Sequence, residues 1–166
     1  YMMASYDEGK EEAIKWICAN FSKGSTCLDV GACDGKWSDL LGDYLIMDAV
    51  EIWGPYIKKF KIHDKYRAVF QCQIQHFQYK HYDLVIFGDV LEHMSAADAR
   101  RGIEYAWTRC KDMVIAVPYE YKQGAKNNNP YERHLQDDLT PELFEKRFPG
   151  FRPIYQSHQY AYYVKA

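Results

Sequence analysis

The sequence predicts a doubly wound α/β fold, in which helices cover both faces of a mostly parallel seven-stranded sheet. Short apolar runs alternate with stretches of helical spacing, as repeated βα units require. The run at residues 82–87 is apolar on both faces, which is typical of a buried parallel strand. Two aromatic-rich runs near the end of the sequence predict an antiparallel hairpin at one edge of the sheet.

The first half of the chain carries three predicted strands with helices between them. Ser5 and Glu8 form a capping-box pattern, after which apolar residues keep helical spacing until Gly24. Pro55 suits the first turn of a later helix, because a residue there has no helical partner for its N–H. Strands are expected at residues 26–30, 45–50 and 68–72, and a short helix at residues 36–41.

The second half continues the alternation and ends in the hairpin. Ser95 with Asp98 predicts the start of a helix whose apolar stripe reaches Trp107. Thr140 followed by Pro141 predicts another helix, and Gly150 its end. Strands are expected at residues 82–87, 113–117, 151–156 and 159–164.

Length, composition and charge limit the classes of function. The 166 residues suit a single domain, and 48% apolar with 27% charged residues excludes a disordered chain. A net charge of −2 argues against a broad basic surface for nucleic acid. We expect a soluble cytoplasmic protein, since no apolar run is long enough for a membrane span and no secretory signal is recognisable. The five cysteines form no C-x-x-C pair, which favours reduced thiols.

Residues 119–139 interrupt the alternation of strands and helices. The segment is polar, rich in asparagine and without periodicity. Irregular segments of this length are more often functional than incidental. We therefore predict a lid or substrate loop within the single domain of residues 1–166.

Three corners that follow predicted strands carry the residues of chemical interest. Ligands of such sheets bind beyond the carboxyl ends of the strands. The first corner is the glycine turn at residues 31–35, and the second is Glu51, which lies 20 residues beyond Gly31. An acid at that distance can accept both hydroxyls of a ribose. A G-x-G-x-x-G dinucleotide fingerprint does not fit, because Cys33 and Lys36 stand where it needs glycine, and this weakens an NAD-binding interpretation.

The third corner, Gly88-Asp89-Val90-Leu91-Glu92-His93, completes a resemblance. Together with Asp29-x-Gly31-x-x-x-Gly35 and Glu51, it resembles the class I S-adenosylmethionine-dependent methyltransferases over nearly the whole chain. The segment DVLEHM is similar to that of the branch acting on small molecules. The resemblance implies a Rossmann-like methyltransferase domain, S-adenosylmethionine as cofactor and S-adenosylhomocysteine as product.

The resemblance also implies roles for single residues in cofactor binding. Gly31, Ala32 and Cys33 would line the methionine half, and Asp89 with Val90 would meet its amino group. Asp29 and Gly35 would support the turn. Glu51 would hold the ribose, with Ile52 against the adenine and Gln73, beside Ile74, accepting from the adenine amino group. Gln73 and Cys33 depart from the family pattern, and we expect Cys33 to adopt a negative φ, because only a positive φ demands glycine.

The acceptor and the catalytic groups are less constrained by the sequence. His93 is a candidate base because an ordinary imidazole accepts a proton near neutral pH, and Glu92 and His134 are further candidates. Methyl transfer needs no metal, and none is expected. We expect a small-molecule acceptor, with O-methylation ahead of N-methylation, and an aromatic hairpin edge that would suit a homodimer.

Two alternatives remain open. A nucleic-acid-directed methyltransferase would need a local basic stripe, which Lys58, Lys59, Lys61, Lys122 and Lys126 could supply. A catalytically silent binding module would explain the departures at Cys33 and Gln73. Cofactor binding distinguishes this second alternative from an enzyme.

Overall fold

The computed structural model describes residues 7–78 and 80–166. Its helices are α1 (Lys10–Asn20), α2 (Lys36–Leu41), α3 (Gly54–Lys59), α4 (Ala96–Trp107) and α5 (Pro141–Arg147). Its strands are β1 (Thr26–Val30), β2 (Ile46–Val50), β3 (Ala68–Phe70), β4 (Tyr82–Gly88), β5 (Cys110–Pro118), β6 (Phe151–Gln156) and β7 (Tyr160–Lys165).

The seven strands form one sheet in the order β3-β2-β1-β4-β5-β7-β6. The pairs from β3 to β5 are parallel, whereas β7 is antiparallel to both β5 and β6. Strand order reverses between β1 and β4, so the loops that follow these two strands diverge and leave a crevice at their carboxyl ends. The predicted α/β fold, its mostly parallel sheet and its closing hairpin are confirmed.

Helices pack on both faces of the sheet, because the strands bury apolar side chains on both sides. One face carries α1, α2 and α3, with Ile17, Trp37 and Ile57 in its core. The opposite face carries α4 and α5, with Ile103 and Phe144 in its core. The β4 residues 84–87 are fully buried, which explains their apolar character at every position.

Several element boundaries differ from the sequence predictions. Ser5 lies outside the described residues, and α1 begins only at Lys10, behind Gly9 in a left-handed conformation. Strand β3 ends at Phe70 instead of residue 72, because the chain then turns toward a short 3-10 helix at Ile74–His76. Ser95 caps α4 as predicted, since its hydroxyl accepts the Asp98 N–H at 3.1 Å.

Residues 119–139 are irregular apart from a 3-10 turn at Pro130–Glu132, in agreement with the missing periodicity. The segment is nevertheless packed against the corner after β4. The Glu92 carbonyl accepts the Leu135 N–H at 2.7 Å and the Gln136 N–H at 3.1 Å, and the Gln136 amide donates to the Leu91 carbonyl.

Over the part of the chain that the structure describes, no helix combines the length and the apolar character that crossing a membrane requires.

Candidate functional site

A cavity of about 310 Å³ opens at the carboxyl ends of the parallel strands, between β1 and β4. Its walls come from all three predicted corners and from the 119–139 segment. Ten of the fourteen predicted site residues line it: Gly31, Ala32, Cys33, Glu51, Ile52, Gln73, Ile74, Asp89, Val90 and His93. The topology thus brings together corners that are far apart in sequence.

The turn after β1 approaches the loop after β4 closely at Gly31. Gly31 has a φ of +73°, and a Cβ added there would lie 2.9 Å from Cγ2 of Val90. The Gly31 N–H donates to the Val50 carbonyl at 2.8 Å, which fixes the start of the turn. Glycine is therefore required here both by conformation and by space.

Cys33 corrects one expectation. Its φ is +47°, in the left-handed region that disfavours side chains, and not negative as we expected from the absence of glycine. The conformation aims the Cys33 N–H at Oε2 of Glu51, which accepts it at 2.9 Å. Burial and neighbouring carboxylates raise the pKa of the thiol, so Cys33 stays protonated at neutral pH.

Glu51 contributes a buried carboxylate to the cavity wall. Its carboxylate is buried, with Oε2 bound to the Cys33 N–H and Oε1 bound to the Trp53 N–H at 2.7 Å. Burial raises the pKa of the carboxyl, while the two backbone donors oppose that rise. Each oxygen accepts one backbone bond and keeps a lone pair, so two further hydrogens can be accepted from a ligand.

Beyond Glu51, the cavity wall consists of apolar side chains and a side-chain amide. Ile52 and Ile74 line the cavity from two different loops. The Gln73 side chain also lines it, and its Oε1 accepts from the Gln75 amide at 2.8 Å. The Gln73 side chain is thereby held by its neighbour at the cavity wall.

Two residues predicted for the cofactor lie behind the wall. Asp29 is 1% exposed, and its Oδ2 accepts the Tyr66 hydroxyl at 2.5 Å. Its Oδ1 has no hydrogen-bond partner within residues 7–78 and 80–166, and burial raises the pKa of the carboxyl to about 7. Gly35, with a φ of +79°, precedes α2 and also lies outside the cavity lining.

Asp89 lies where the third corner meets the turn after β1. It has a φ of +55°, and its carboxylate accepts the Tyr160 hydroxyl. The preceding Gly88 leaves room for Trp37, whose Nε1 would lie 2.4 Å from a Cβ at that position. The ammonium of Lys10 lies 5.0 Å from the centroid of the Trp37 ring. Sequence reasoning missed Trp37, which lines the cavity, because a helical tryptophan carries no spacing signal for a site.

The three predicted catalytic residues converge beside the cavity, but only His93 lines it. One ligand-type atom from each of Glu92, His93 and His134 lies within 4.8 Å of the others. The two imidazole rings meet edge to face with centroids 4.7 Å apart. Nδ1 of His93 contacts the Arg133 carbonyl at 3.3 Å, and Nδ1 of His134 contacts the Tyr121 carbonyl at 2.7 Å.

Burial changes the protonation of this cluster. A carbonyl oxygen only accepts, so both Nδ1 atoms donate and both Nε2 atoms carry a lone pair. Burial and the neighbouring His134 lower the pKa of His93 to about 4, so its imidazole is neutral but weakly basic. The premise that His93 has an ordinary pKa is therefore wrong. Burial and the charges of Asp89 and Glu132 raise the pKa of Glu92.

The 119–139 segment supplies part of the cavity wall. Asn129, Tyr131, Glu132 and Leu135 all line the cavity. The Tyr56 hydroxyl from α3 donates to Oε1 of Glu132 at 3.0 Å and joins the segment to the helix that follows the second corner. None of the five lysines of the predicted basic stripe is among the residues that line the cavity.

Comparison with solved structures identifies the fold. No protein-family model and no curated protein matches the sequence. An S-adenosylmethionine-dependent methyltransferase from Clostridium acetobutylicum aligns with a TM-score of 0.71 at 10% identity, over 97% of this chain and 91% of that chain. A Burkholderia thailandensis 1,6-didemethyltoxoflavin-N1-methyltransferase, solved with its substrate and S-adenosylhomocysteine, aligns at 0.66 with 16% identity, over 94% and 76%.

The mitomycin 7-O-methyltransferase MmcR aligns with a TM-score of 0.63 at 13% identity, over 95% of this chain and 53% of that chain. These structures share the overall fold of the present chain at very low sequence identity. The resemblance drawn from the sequence is thus confirmed at the level of architecture. The chain has the fold of the class I S-adenosylmethionine-dependent methyltransferases.

Proposed function

We propose that the chain is an enzyme that transfers a methyl group from S-adenosylmethionine to a small-molecule acceptor. The observation that carries the proposal is the buried Glu51 carboxylate at the cavity wall, which faces the turn of Gly31 and Cys33. Each of its oxygens accepts one backbone N–H and retains a lone pair. That arrangement suits a pair of ribose hydroxyls, which donate two hydrogen bonds side by side.

The remaining cavity residues fit the other parts of the cofactor. Gly31, Ala32 and Cys33 leave the backbone accessible to the methionine half. The Asp89 carboxylate, beside Val90, suits the ammonium of that half. Ile52 and Ile74 offer apolar contact for the adenine, and the Gln73 amide offers it a neutral hydrogen-bonding group. Asp29 and Gly35 act through the turn, since neither lines the cavity.

The acceptor would occupy the end of the cavity next to His93 and the 119–139 segment. In O-methylation an acceptor oxygen attacks the methyl carbon, the carbon–sulfur bond breaks and the sulfonium becomes a neutral thioether. The protein then contributes alignment of the two reactants. The neutral His93 imidazole, whose low pKa makes it a poor base, would accept the hydrogen bond of the acceptor hydroxyl, and the hydroxyl proton would pass to solvent as the methyl group is transferred. Glu92 and His134 lie behind it and position it.

Three features support a small acceptor. The 119–139 segment contributes four residues to the cavity wall and so narrows the space for an acceptor. The basic stripe does not line the cavity. A toxoflavin precursor and a mitomycin are named as acceptors of two proteins with this fold, one methylated on nitrogen and one on oxygen. We propose that residues 119–139 act as the lid over this end.

Calorimetric titration with S-adenosylmethionine and S-adenosylhomocysteine tests the cofactor assignment. We expect saturable binding that Glu51→Ala weakens by about 100-fold, because two hydrogen bonds to a charged group are lost. Glu145→Ala changes an exposed carboxylate on α5 and should bind normally. Absence of binding by the folded wild-type chain would overturn the enzyme proposal and favour the silent-module alternative.

A screen for acceptors tests the second half of the proposal. Hydroxylated and amine-bearing small molecules are incubated with the chain and S-adenosylmethionine, in parallel with RNA and DNA. We expect a methyl-sized mass increase on a small hydroxylated compound only. Methylation of a nucleic acid alone would contradict the small-molecule assignment.

Two further expectations belong to the same proposal. All five cysteines are unpaired, which supports a reducing, cytoplasmic setting. The exposed edge strand β6 is the surface we propose for a homodimer. Light scattering of the purified chain measures its oligomeric state directly.

A further inference from the structure

We infer that Glu92, His93 and His134 form a binding site for a divalent transition-metal ion of the zinc type. The inference concerns a ligand that methyl transfer does not need. It rests on the geometry of the three side chains and does not depend on S-adenosylmethionine binding. A metal on Nε2 of His93 would take the lone pair that the proposed function offers to the acceptor hydroxyl, so the two uses of this nitrogen exclude each other.

The donor set is the first part of the argument. Two imidazole nitrogens and one carboxylate oxygen suit zinc and neighbouring divalent transition metals, and do not suit magnesium or calcium. The three ligand-type atoms lie within 4.8 Å of one another. Ligand atoms around a tetrahedral zinc ion lie roughly 3.4 Å apart. Side-chain rotations that move each ligand atom by about 1 Å would therefore bring the three atoms to this spacing.

The hydrogen bonds of the two histidines are the second part. Both rings donate Nδ1–H to a backbone carbonyl, His93 to Arg133 and His134 to Tyr121. Histidine ligands of metals are commonly held in this way, with one ring nitrogen bound to a carbonyl and the other left for the metal. Both imidazole rings are therefore already in the tautomer that a metal requires, with a lone pair on Nε2. Nε2 of His93 lies 4.0 Å from Oε1 of Glu92, which is too long for a hydrogen bond between them.

The Glu92 carboxyl is the third and independent part. It is 1% exposed, and its Oε2 has no hydrogen-bond partner anywhere in the described chain. Protonation would remove the charge, but Nε2 of His93, at 4.0 Å from Oε1, could accept the carboxyl proton only after a side-chain movement like the one that a metal requires. A bound cation satisfies the oxygen and the charge together.

The site would also connect two parts of the molecule. Glu92 and His93 belong to the corner after β4, whereas His134 belongs to the 119–139 segment. A metal held by all three would tie the segment to the sheet, next to the cavity that His93 lines. We therefore expect metal binding to order the segment.

Titration of the metal-free chain with Zn²⁺ and with Co²⁺ tests the inference. We expect one strong site per chain, with visible Co²⁺ bands and without the sulfur charge-transfer band that a cysteine ligand would produce. His134→Ala and Glu92→Gln should each weaken binding by at least about 100-fold. His63→Ala, which removes an exposed histidine of the 3-10 helix at Ile62–Asp64, should leave the affinity unchanged.

Limited trypsin digestion gives a second measurement that needs no cofactor. Lys122, Lys126 and Arg133 are cleavage sites within the 119–139 segment. Zn²⁺ should slow cleavage there several-fold in the wild-type and His63→Ala chains, and should have no effect in Glu92→Gln. Failure of the folded wild-type chain to bind either metal, or equal binding by both site variants, would overturn the inference. A sulfur charge-transfer band would assign the metal to cysteine and also overturn it.

Discussion

The buried Asp29 carboxyl makes the stability of the chain depend on pH in a direction opposite to that of most aspartates. Burial raises its pKa from the ordinary 3.8 to about 7 in the folded chain. Between these two values the folded state holds a proton that the unfolded state has lost. The free energy of unfolding should therefore fall by about 1.4 kcal/mol for each pH unit in this interval. The total over the interval is about 4 kcal/mol.

Asp29→Asn isolates this contribution from those of the other titrating groups. Asparagine has the same shape, cannot ionise and still accepts the Tyr66 hydroxyl bond. Urea unfolding of both chains between pH 5 and pH 8 gives the difference in free energy of unfolding at each pH. The wild-type chain should lose about 3 kcal/mol relative to Asp29→Asn over this range, with the change complete slightly above pH 7.

The shape of the pH dependence shows whether Asp29 is protonated in the folded chain. A difference that stays constant from pH 5 to pH 8 would mean that Asp29 is ionised in the folded chain throughout. A second variant, Tyr66→Phe, removes the hydroxyl that favours the charged carboxylate. In that variant the decline should continue to a higher pH, and the absence of such a shift would contradict the role given to Tyr66.

Three further substitutions test the turn and the segment that faces it. Gly31→Ala should lower the free energy of unfolding by about 2 kcal/mol and weaken S-adenosylhomocysteine binding, because of the positive φ and the contact with Val90. Cys33→Gly should raise the free energy of unfolding, measured in urea, by about 1 kcal/mol, because glycine adopts the left-handed backbone conformation of this position without strain. Tyr56→Phe removes the bond to Glu132 and should accelerate trypsin cleavage of residues 119–139 several-fold.

Each of these three substitutions has a matched control. Gly124→Ala meets no atom within 4 Å and should leave stability nearly unchanged. Cys33→Ala removes the thiol but keeps the strained backbone, so it should be less stable than Cys33→Gly, and the reverse order would refute the strain. Tyr105→Phe alters an exposed tyrosine of α4 and should not affect cleavage of the segment. Equal effects of Gly31→Ala and Gly124→Ala would contradict the close approach at the turn.

The strands and the cofactor corners could be predicted because their signals are local. Residues 84–87 are apolar at every position, since both faces of β4 are buried under helices. Once the parallel order is assumed, the residue after each strand must lie at one edge of the sheet, and this places Gly31, Glu51 and Asp89 together. Their convergence on one cavity confirms that reasoning.

The features that the sequence did not reveal depend on contacts between distant segments. Cys33 has a left-handed backbone conformation that directs its N–H to Glu51. The sequence of the turn alone does not show this contact, because Glu51 follows another strand. The burial of Glu92 depends on Leu135 and Gln136 covering its backbone. His134 lies 41 positions beyond His93 and reaches it only through a segment without periodicity.

The place of β7 between β5 and β6 has a consequence for the order in which the chain can fold during synthesis. The β5 edge, from Val114 to Pro118, pairs only with residues 160–164, which the ribosome makes last among the strands. Until they emerge, a nascent chain exposes an apolar strand with an unpaired edge, which is the kind of surface that promotes aggregation. The sheet can therefore be completed only after residues 160–164 have been synthesised, and its non-local pairings make folding slow relative to proteins rich in local contacts.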